Sequence, residues 1–97
     1  MVIVGDVNPG ADLIAGGDIV VMGSLRGTAH AAAYDEHATD RVIIALAMAP
    51  IQLRIGSVIS RGSGEAGVET EVARIEDRRI VVQPFNSRMS FGKKLRA

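Results

Sequence analysis

The sequence predicts an all-β domain made of short stacked coils and closed by a C-terminal β-hairpin. Three observations predict it. First, a strand-and-turn theme repeats. Gly5-Asp6-Val7-Asn8-Pro9-Gly10-Ala11 is followed by Gly16-Gly17-Asp18-Ile19-Val20-Val21-Met22-Gly23-Ser24-Leu25-Arg26-Gly27, and an offset of eighteen sets Gly5 on Gly23, Val7 on Leu25 and Ala11 on Ala29. Repetition at about that length means stacked copies of one supersecondary unit. Second, apolar residues make up 47% of the 97, yet aromatics only 3%. The core must therefore be aliphatic, which suits thin coils whose small side chains stack in layers. Third, the apolar runs Met1–Val4, Ile19–Met22 and Val42–Leu46 are short, β-branched and bounded by Gly, Asp or Pro, as strands are.

The turns have a mechanism. In Asn8-Pro9-Gly10, proline presets φ at the second position and glycine accepts a positive φ at the third. Gly16-Gly17-Asp18 and Arg26-Gly27 punctuate the chain in the same way. A third copy of the theme needs an offset of twenty-three, which sets Val42 on Ile19, Ile44 on Val21, Met48 on Leu25 and Ile55 on Ala32. The extra five residues fit a protruding polar loop at Tyr34–Asp40. The Ala-rich stretch Ala29–Ala33 reads as a coil side with small inward residues, opposite Ala11–Ala15.

Runs that are apolar at every position belong to strands buried on both faces. The inward set is expected to be Ile3, Val7, Ala11, Ile19, Val21, Leu25, Ala29 and Ile44. The outward set is Val2, Val4, Val20, Met22 and Ile43. A coil stack has nothing of its own to cover the outward set, and a contiguous apolar stripe on a small domain marks a partner surface. The stripe therefore predicts a homodimer; the alternative is that the C-terminal segment folds back over it. After coils over residues 1–60, residues 61–67 (Arg61-Gly62-Ser63-Gly64-Glu65-Ala66-Gly67) read as a connector. Residues 68–85 read as a hairpin with its turn at Glu76-Asp77-Arg78-Arg79, capping the open end of the stack. Residues 86–97 carry Arg88, Lys93, Lys94 and Arg96 with no acid and read as a flexible basic tail, its pull on anionic lipid weak. The chain begins already inside a strand-like Val-Ile-Val, which predicts a fragment of a longer protein.

Little in the chain suggests catalysis. The formal net charge is zero, which argues against a dedicated nucleic-acid binder. There is no cysteine, so disulfides and thiolate metal sites are excluded. No signal-peptide pattern opens the chain, and the run Val42–Ile51 is half of what a membrane span needs; the expected location is the cytoplasm. His30 and His37 lack metal-ligand spacing, Asp35-Glu36-His37 reads as a solvated loop, and no phosphate loop, dinucleotide fingerprint or nucleophile elbow occurs. The expectation is no catalytic residue, no metal and no cofactor. Asp6, Asp12 and Asp18 recur every six residues, the period of hexapeptide acyltransferases. The aliphatic period holds for barely two coils, so the aspartates read as turn and strand-end residues. A trimeric transferase using His30 or His37 and a bactofilin-like filament former are the alternatives.

The residues that carry these turns also carry a resemblance. Gly5-Asp6-Val7-Asn8-Pro9-Gly10-Ala11-Asp12, then Ile14-Ala15-Gly16-Gly17-Asp18-Ile19-Val20-Val21-Met22-Gly23, then Leu25-Arg26-Gly27-Thr28-Ala29 resemble the C-terminal domain of the septum site-determining MinC family, whose pattern runs G-D-V-N-P-G-A-E, I-A-D-G-N-I-x-V-x-G and L-R-G-x-A. Val42–Ala45, Ile55-Gly56 and Ile80-Val81-Val82-Gln83-Pro84 resemble its later strands and turn, so the similarity covers residues 1–85. The resemblance implies a short right-handed parallel β-helix, triangular in section, that dimerises. It also implies a domain that binds the membrane-associated ATPase MinD, contributes to binding the tail of the tubulin-like FtsZ, and reaches the inner face of the membrane only through MinD. Asp12, Arg26 and Thr28 are its candidate contacts. Two departures bear on this. The family's Arg-Ser-Gly-Gln motif lies upstream of the matching region, and Arg61-Gly62-Ser63-Gly64 is similar only in composition. Many relatives have Arg where Thr28 stands. These departures predict a chain that dimerises but binds MinD weakly.

Overall fold

A computed structural model describes residues 1–62, 67 and 69–86. Within them there are nine strands and no helix: β1 (Val2–Val4), β2 (Asp12–Ile14), β3 (Ile19–Leu25), β4 (Thr28–Ala31), β5 (Val42–Met48), β6 (Gln52–Ile55), β7 (Val58–Arg61), β8 (Glu71–Glu76) and β9 (Arg79–Pro84). They form two mixed sheets, in the orders β1-β3-β5-β8-β9 and β2-β4-β6-β7. The first three strands of each sheet run parallel, because each turn of chain returns to the same side one layer on. The remaining strands join antiparallel: β8 on β5, β9 on β8 and β7 on β6.

The ladder follows the sequence repeat in its first step. Val2 pairs with Val20, Ile3 with Val21 and Val4 with Met22, and Val7 bridges to Leu25, all at the expected spacing of eighteen. Two glycines allow the layers to close. A β-carbon on Gly23 would overlap the Gly5 carbonyl oxygen and lie 2.8 Å from an Asp6 carboxylate oxygen. One on Gly27 would overlap the Ala11 carbonyl oxygen and lie 2.7 Å from that of Asn8. Backbone passes too close at both points for any side chain.

The inward side chains form one aliphatic core: Val7, Ile19, Val21, Leu25, Ile43, Met48, Leu53 and Ile55, with alanines 15, 29, 31, 45 and 73 between them. Each fully buried Val, Leu or Ile contributes roughly 1.5–3 kcal/mol relative to exposure. Asp18 is the one charged residue buried among the described residues. Its carboxylate accepts the Val42 amide at 2.9 Å and faces the Arg41 guanidinium at 3.7 Å. That bond fixes where β5 begins after the polar loop that follows β4.

The register of the third layer corrects the sequence reading. Ile43, not Val42, sits on Ile19, and Ala45, not Ile44, sits on Val21. A one-residue slip in a strand sends every side chain to the other face. Ile43, expected on the outer stripe, is therefore 0% exposed in the core. Ile44, expected inward, packs on the outer side with Val20, Val42 and Val72. The cause is a bulge: Val21 pairs with Ala45 but Ser24 with Ala47, so β3 carries one residue more than β5. After the bulge Leu25 meets Met48, as expected. In the second sheet Leu13, not Ala11, lies on Ala29, and Ile55 lies on Ala31 rather than Ala32; Ala11 is exposed.

At the third layer the chain supplies its own edge strands. β7 turns back on β6, a hairpin that the coil reading of residues up to 60 did not contain, and Arg61 ends β7 instead of opening a connector. Of the rest of the expected connector, residues 63–66 lie outside the described residues, as do residue 68 and tail residues 87–97. The β8–β9 hairpin turns at Asp77-Arg78, both with positive φ, the geometry of a tight two-residue hairpin. The hairpin extends the first sheet edgewise from β5.

Two substitutions check this packing in urea unfolding followed by circular dichroism. Ile43→Ala is expected to lower stability by about 2–5 kcal/mol as a core truncation. Gly27→Ala is expected to lose about 1–3 kcal/mol through overlap with the Ala11 carbonyl. A neutral Ile43→Ala would place that side chain outside the core.

Candidate partner-binding surfaces

Two surfaces hold the residues singled out in the sequence. The first is the outer face of the β1-β3-β5-β8-β9 sheet. Val2, Val4, Val20 and Met22 stand on it, paired strand to strand. Val2, Val4 and Met22 are 43%, 85% and 48% exposed. Ile43 is absent from this face. Leu46, two residues beyond outward-facing Ile44, takes the place at 45% exposure. The signal for Leu46 was the alternation Ile44, Leu46 along β5, masked by the bulge. Toward β8 the same face is closed by Val42, Ile44 and Val72, which pack on one another and on Val20.

The second surface holds the polar candidates. Asp12 and Thr28 lie directly opposite on β2 and β4, and the Thr28 hydroxyl donates to an Asp12 carboxylate oxygen. The register continues the row through Gln52 on β6 to Arg61 on β7. A parallel row runs Ile14, His30, Arg54, Ile59. His30 Nε2 lies 3.2 Å from the Gly56 carbonyl, which also accepts Arg54 Nε–H at 3.0 Å. That carbonyl can only accept, so Nε2 carries the ring proton. Gln52, Arg54 and Arg61 escaped the sequence reading because only the strand register sets Gln52 beside Thr28, Arg54 beside His30 and Arg61 beside Gln52.

Arg26 stands apart from that pair. Its Nη2 donates to the Asn8 side-chain oxygen at 2.6 Å, and Asp6 lies 3.9 Å away. Asp6 in turn accepts the Ser24 amide at 2.8 Å. Each aspartate of the six-residue period thus has a structural partner in the next layer or strand: Asp6 with Ser24, Asp12 with Thr28, Asp18 with Val42. His37 is exposed beside Glu36 at 3.6 Å. Among the described residues no group of three or more His, Cys, Asp or Glu is placed to hold a metal ion, and no helix is long and apolar enough to cross a membrane.

These turns, with their glycine contacts and side-chain bridges between layers, match a known profile. The family described as "Septum formation inhibitor MinC, C-terminal domain" matches residues 1–85. The chain belongs to this family. It is 50% identical over 82 residues to the probable septum site-determining protein MinC of Gloeobacter violaceus, covering 82% of the chain and 29% of that relative. It is 52% identical over 86 residues to the MinC of Bacillus cytotoxicus, covering 84% of the chain and 37% of the relative. The chain thus spans about a third of the length of the curated MinC proteins it matches. Among solved structures it is similar to a chain of the "MinC:MinD cell division protein complex" of Aquifex aeolicus, with 39% identity, a TM-score of 0.79, and coverage of 94% of this chain and 74% of that one.

Arg26 is solvent-exposed and makes its side-chain contacts near the surface. Arg26→Ala is expected to change unfolding free energy by less than about 1 kcal/mol, measured by urea titration. A larger loss would make this residue part of the scaffold instead of a free contact.

Proposed function

We propose that this chain is a non-enzymatic targeting domain of a division-site inhibitor. It winds as a short right-handed β-helix of triangular section, capped by its C-terminal hairpin. It acts in the cytoplasm as a homodimer that binds the MinD ATPase, contributes to contact with the FtsZ tail, and is carried to the inner face of the membrane by MinD alone. The similarity to a chain of the Aquifex aeolicus MinC:MinD complex carries this reading.

The surfaces divide the work. The outer face of the first sheet, Val2, Val4, Val20 and Met22 with Leu46, joins two copies, because Val2, Val4, Met22 and Leu46 stand exposed around half-buried Val20. Asp12, Arg26 and Thr28 supply polar contacts to MinD. In this chain Asp12 and Thr28 satisfy one another, so a partner must compete for them, a second reason to expect weak MinD binding. Buried aliphatic area drives dimerisation, and the polar groups set which partner fits.

Two experiments test this. Met22→Asp buries a charge in the proposed dimer face and is expected to give monomers by light scattering at micromolar concentration; an unchanged dimer overturns the face. In a pull-down with ATP-loaded MinD, a version extended with the relatives' upstream segment is expected to bind more tightly than this chain. Arg26→Ala in the extended version is expected to lower capture several-fold. Equal capture by all three removes Arg26 and the upstream segment from the contact.

A further inference from the structure

The chain has no cysteine, so its sulfur chemistry falls to four methionines. The fold sets two of them in opposite surroundings. Met48 is 3% exposed and belongs to the aliphatic core. Met22 is 48% exposed. Met1 is 40% exposed, and Met89 lies outside the described residues. Met22 stands on β3, which lies between β1 and β5, so its exposure is outward, off the sheet. Val4 is its partner on β1. On the other side β3 steps from Val21 to Ser24 while β5 steps from Ala45 to Ala47, so Met22 and Gly23 together face the single Leu46. The Met22 carbonyl accepts the Gly5 amide at 3.2 Å. The bulge is thus tied down by its backbone, and the thioether stands on the face it shares with Val4, Val20 and Leu46.

We propose that Met22 is an oxidation site whose sulfoxide weakens the dimer formed by the outer face; this rests on the dimer reading given above. The oxidant is a hydroperoxide. The lone pair of Met22 Sδ attacks the outer peroxide oxygen, the S–O bond forms and the O–O bond breaks. The peroxide proton ends on the departing oxygen, so hydrogen peroxide leaves as water. Sulfur gives up two electrons and the peroxide takes them. The product is polar where the thioether was apolar. In the monomer, water solvates the new oxygen. In the dimer it is shut among Val4, Val20 and Leu46, whose side chains offer no donor, and an unpaired buried polar group opposes association. The opposition is mutual, because the dimer covers the sulfur and slows its oxidation. Met22 points away from the core, so the fold survives the change, and enzymatic reduction of the sulfoxide restores the thioether.

The full chain treated with hydrogen peroxide tests this with two readouts. Peptide mass spectrometry follows oxygen uptake at each methionine, and sedimentation velocity gives the dimer dissociation constant. Met22 is expected to take up oxygen faster than Met48, and more slowly as protein concentration rises through the dissociation constant. Oxidation is expected to raise that constant roughly tenfold or more, with an unchanged circular dichroism spectrum and recovery on treatment with methionine sulfoxide reductases. Met22→Leu, compared with its own untreated value, is expected to show no response to peroxide, which separates Met22 from Met1 and Met89. Met22 oxidised no faster than Met48, an oxidised dimer as tight as the untreated one, or a Met22→Leu dimer that peroxide still weakens, each overturns the proposal. A failure of the dimer reading looks different: Met22→Asp leaves the parent chain's mass unaltered. The switch then falls with that reading, and the peptide masses alone decide Met22 as the oxidation site.

Discussion

The parallel ladder that holds β3 between β1 and β5 carries everything else in this molecule. Its strands are short, so no strand pair is stable alone. Stability comes from repetition, each layer burying the aliphatic side chains of the last. Ile19 on Ile43 and Val21 on Ala45 show the constraint. At Val21 on Ala45, Leu53 on Ala29 and Ile55 on Ala31 a large residue in one layer is accommodated by a small one in the next, and alanines recur through the interior. Gly23 and Gly27 serve the same end, since backbone passes where a β-carbon would stand.

A scaffold of this kind leaves its surfaces free to specialise. Side chains alternate in and out, so each sheet carries an outer row independent of the core. On the first sheet that row is aliphatic; on the second it is polar and partly cationic, with Asp12 and Thr28 joined and His30 and Arg54 converging on one carbonyl. The physics differs between them. An aliphatic row gains by losing water and is indifferent to the detail of its partner. A polar row whose groups already satisfy one another gives little affinity and discriminates between partners.

The ends of the stack obey the same logic as the faces. Antiparallel β7 and β8 occupy the edges that β6 and β5 would otherwise expose, and they convert a repeating array into a finite one at that end. The hairpin therefore works by hydrogen bonding along an edge. On the outer side its Val72 packs against Val42 and Ile44, all three buried, while Val2, Val4 and Met22 further along the sheet stay exposed.

The repeat of eighteen, the glycine-marked turns, the aliphatic interior and the closing hairpin were legible in the sequence, because each rests on local chemistry: which residues turn, which alternate, which are too small or too branched for other structures. The family pattern was legible for the same reason, being written in those turns. The third layer was not. A single extra residue in β3 relative to β5 exchanges Ile43 and Ile44 between core and surface, and no composition or spacing within either strand reveals it. The row that sets Gln52 beside Thr28 and Arg61 beside Gln52, the placing of Arg54 beside His30, and the return of β7 on β6 likewise exist only once strands are in register. Side-chain identity determines what each segment can become. Pairing between segments far apart in the chain decides which face each side chain takes.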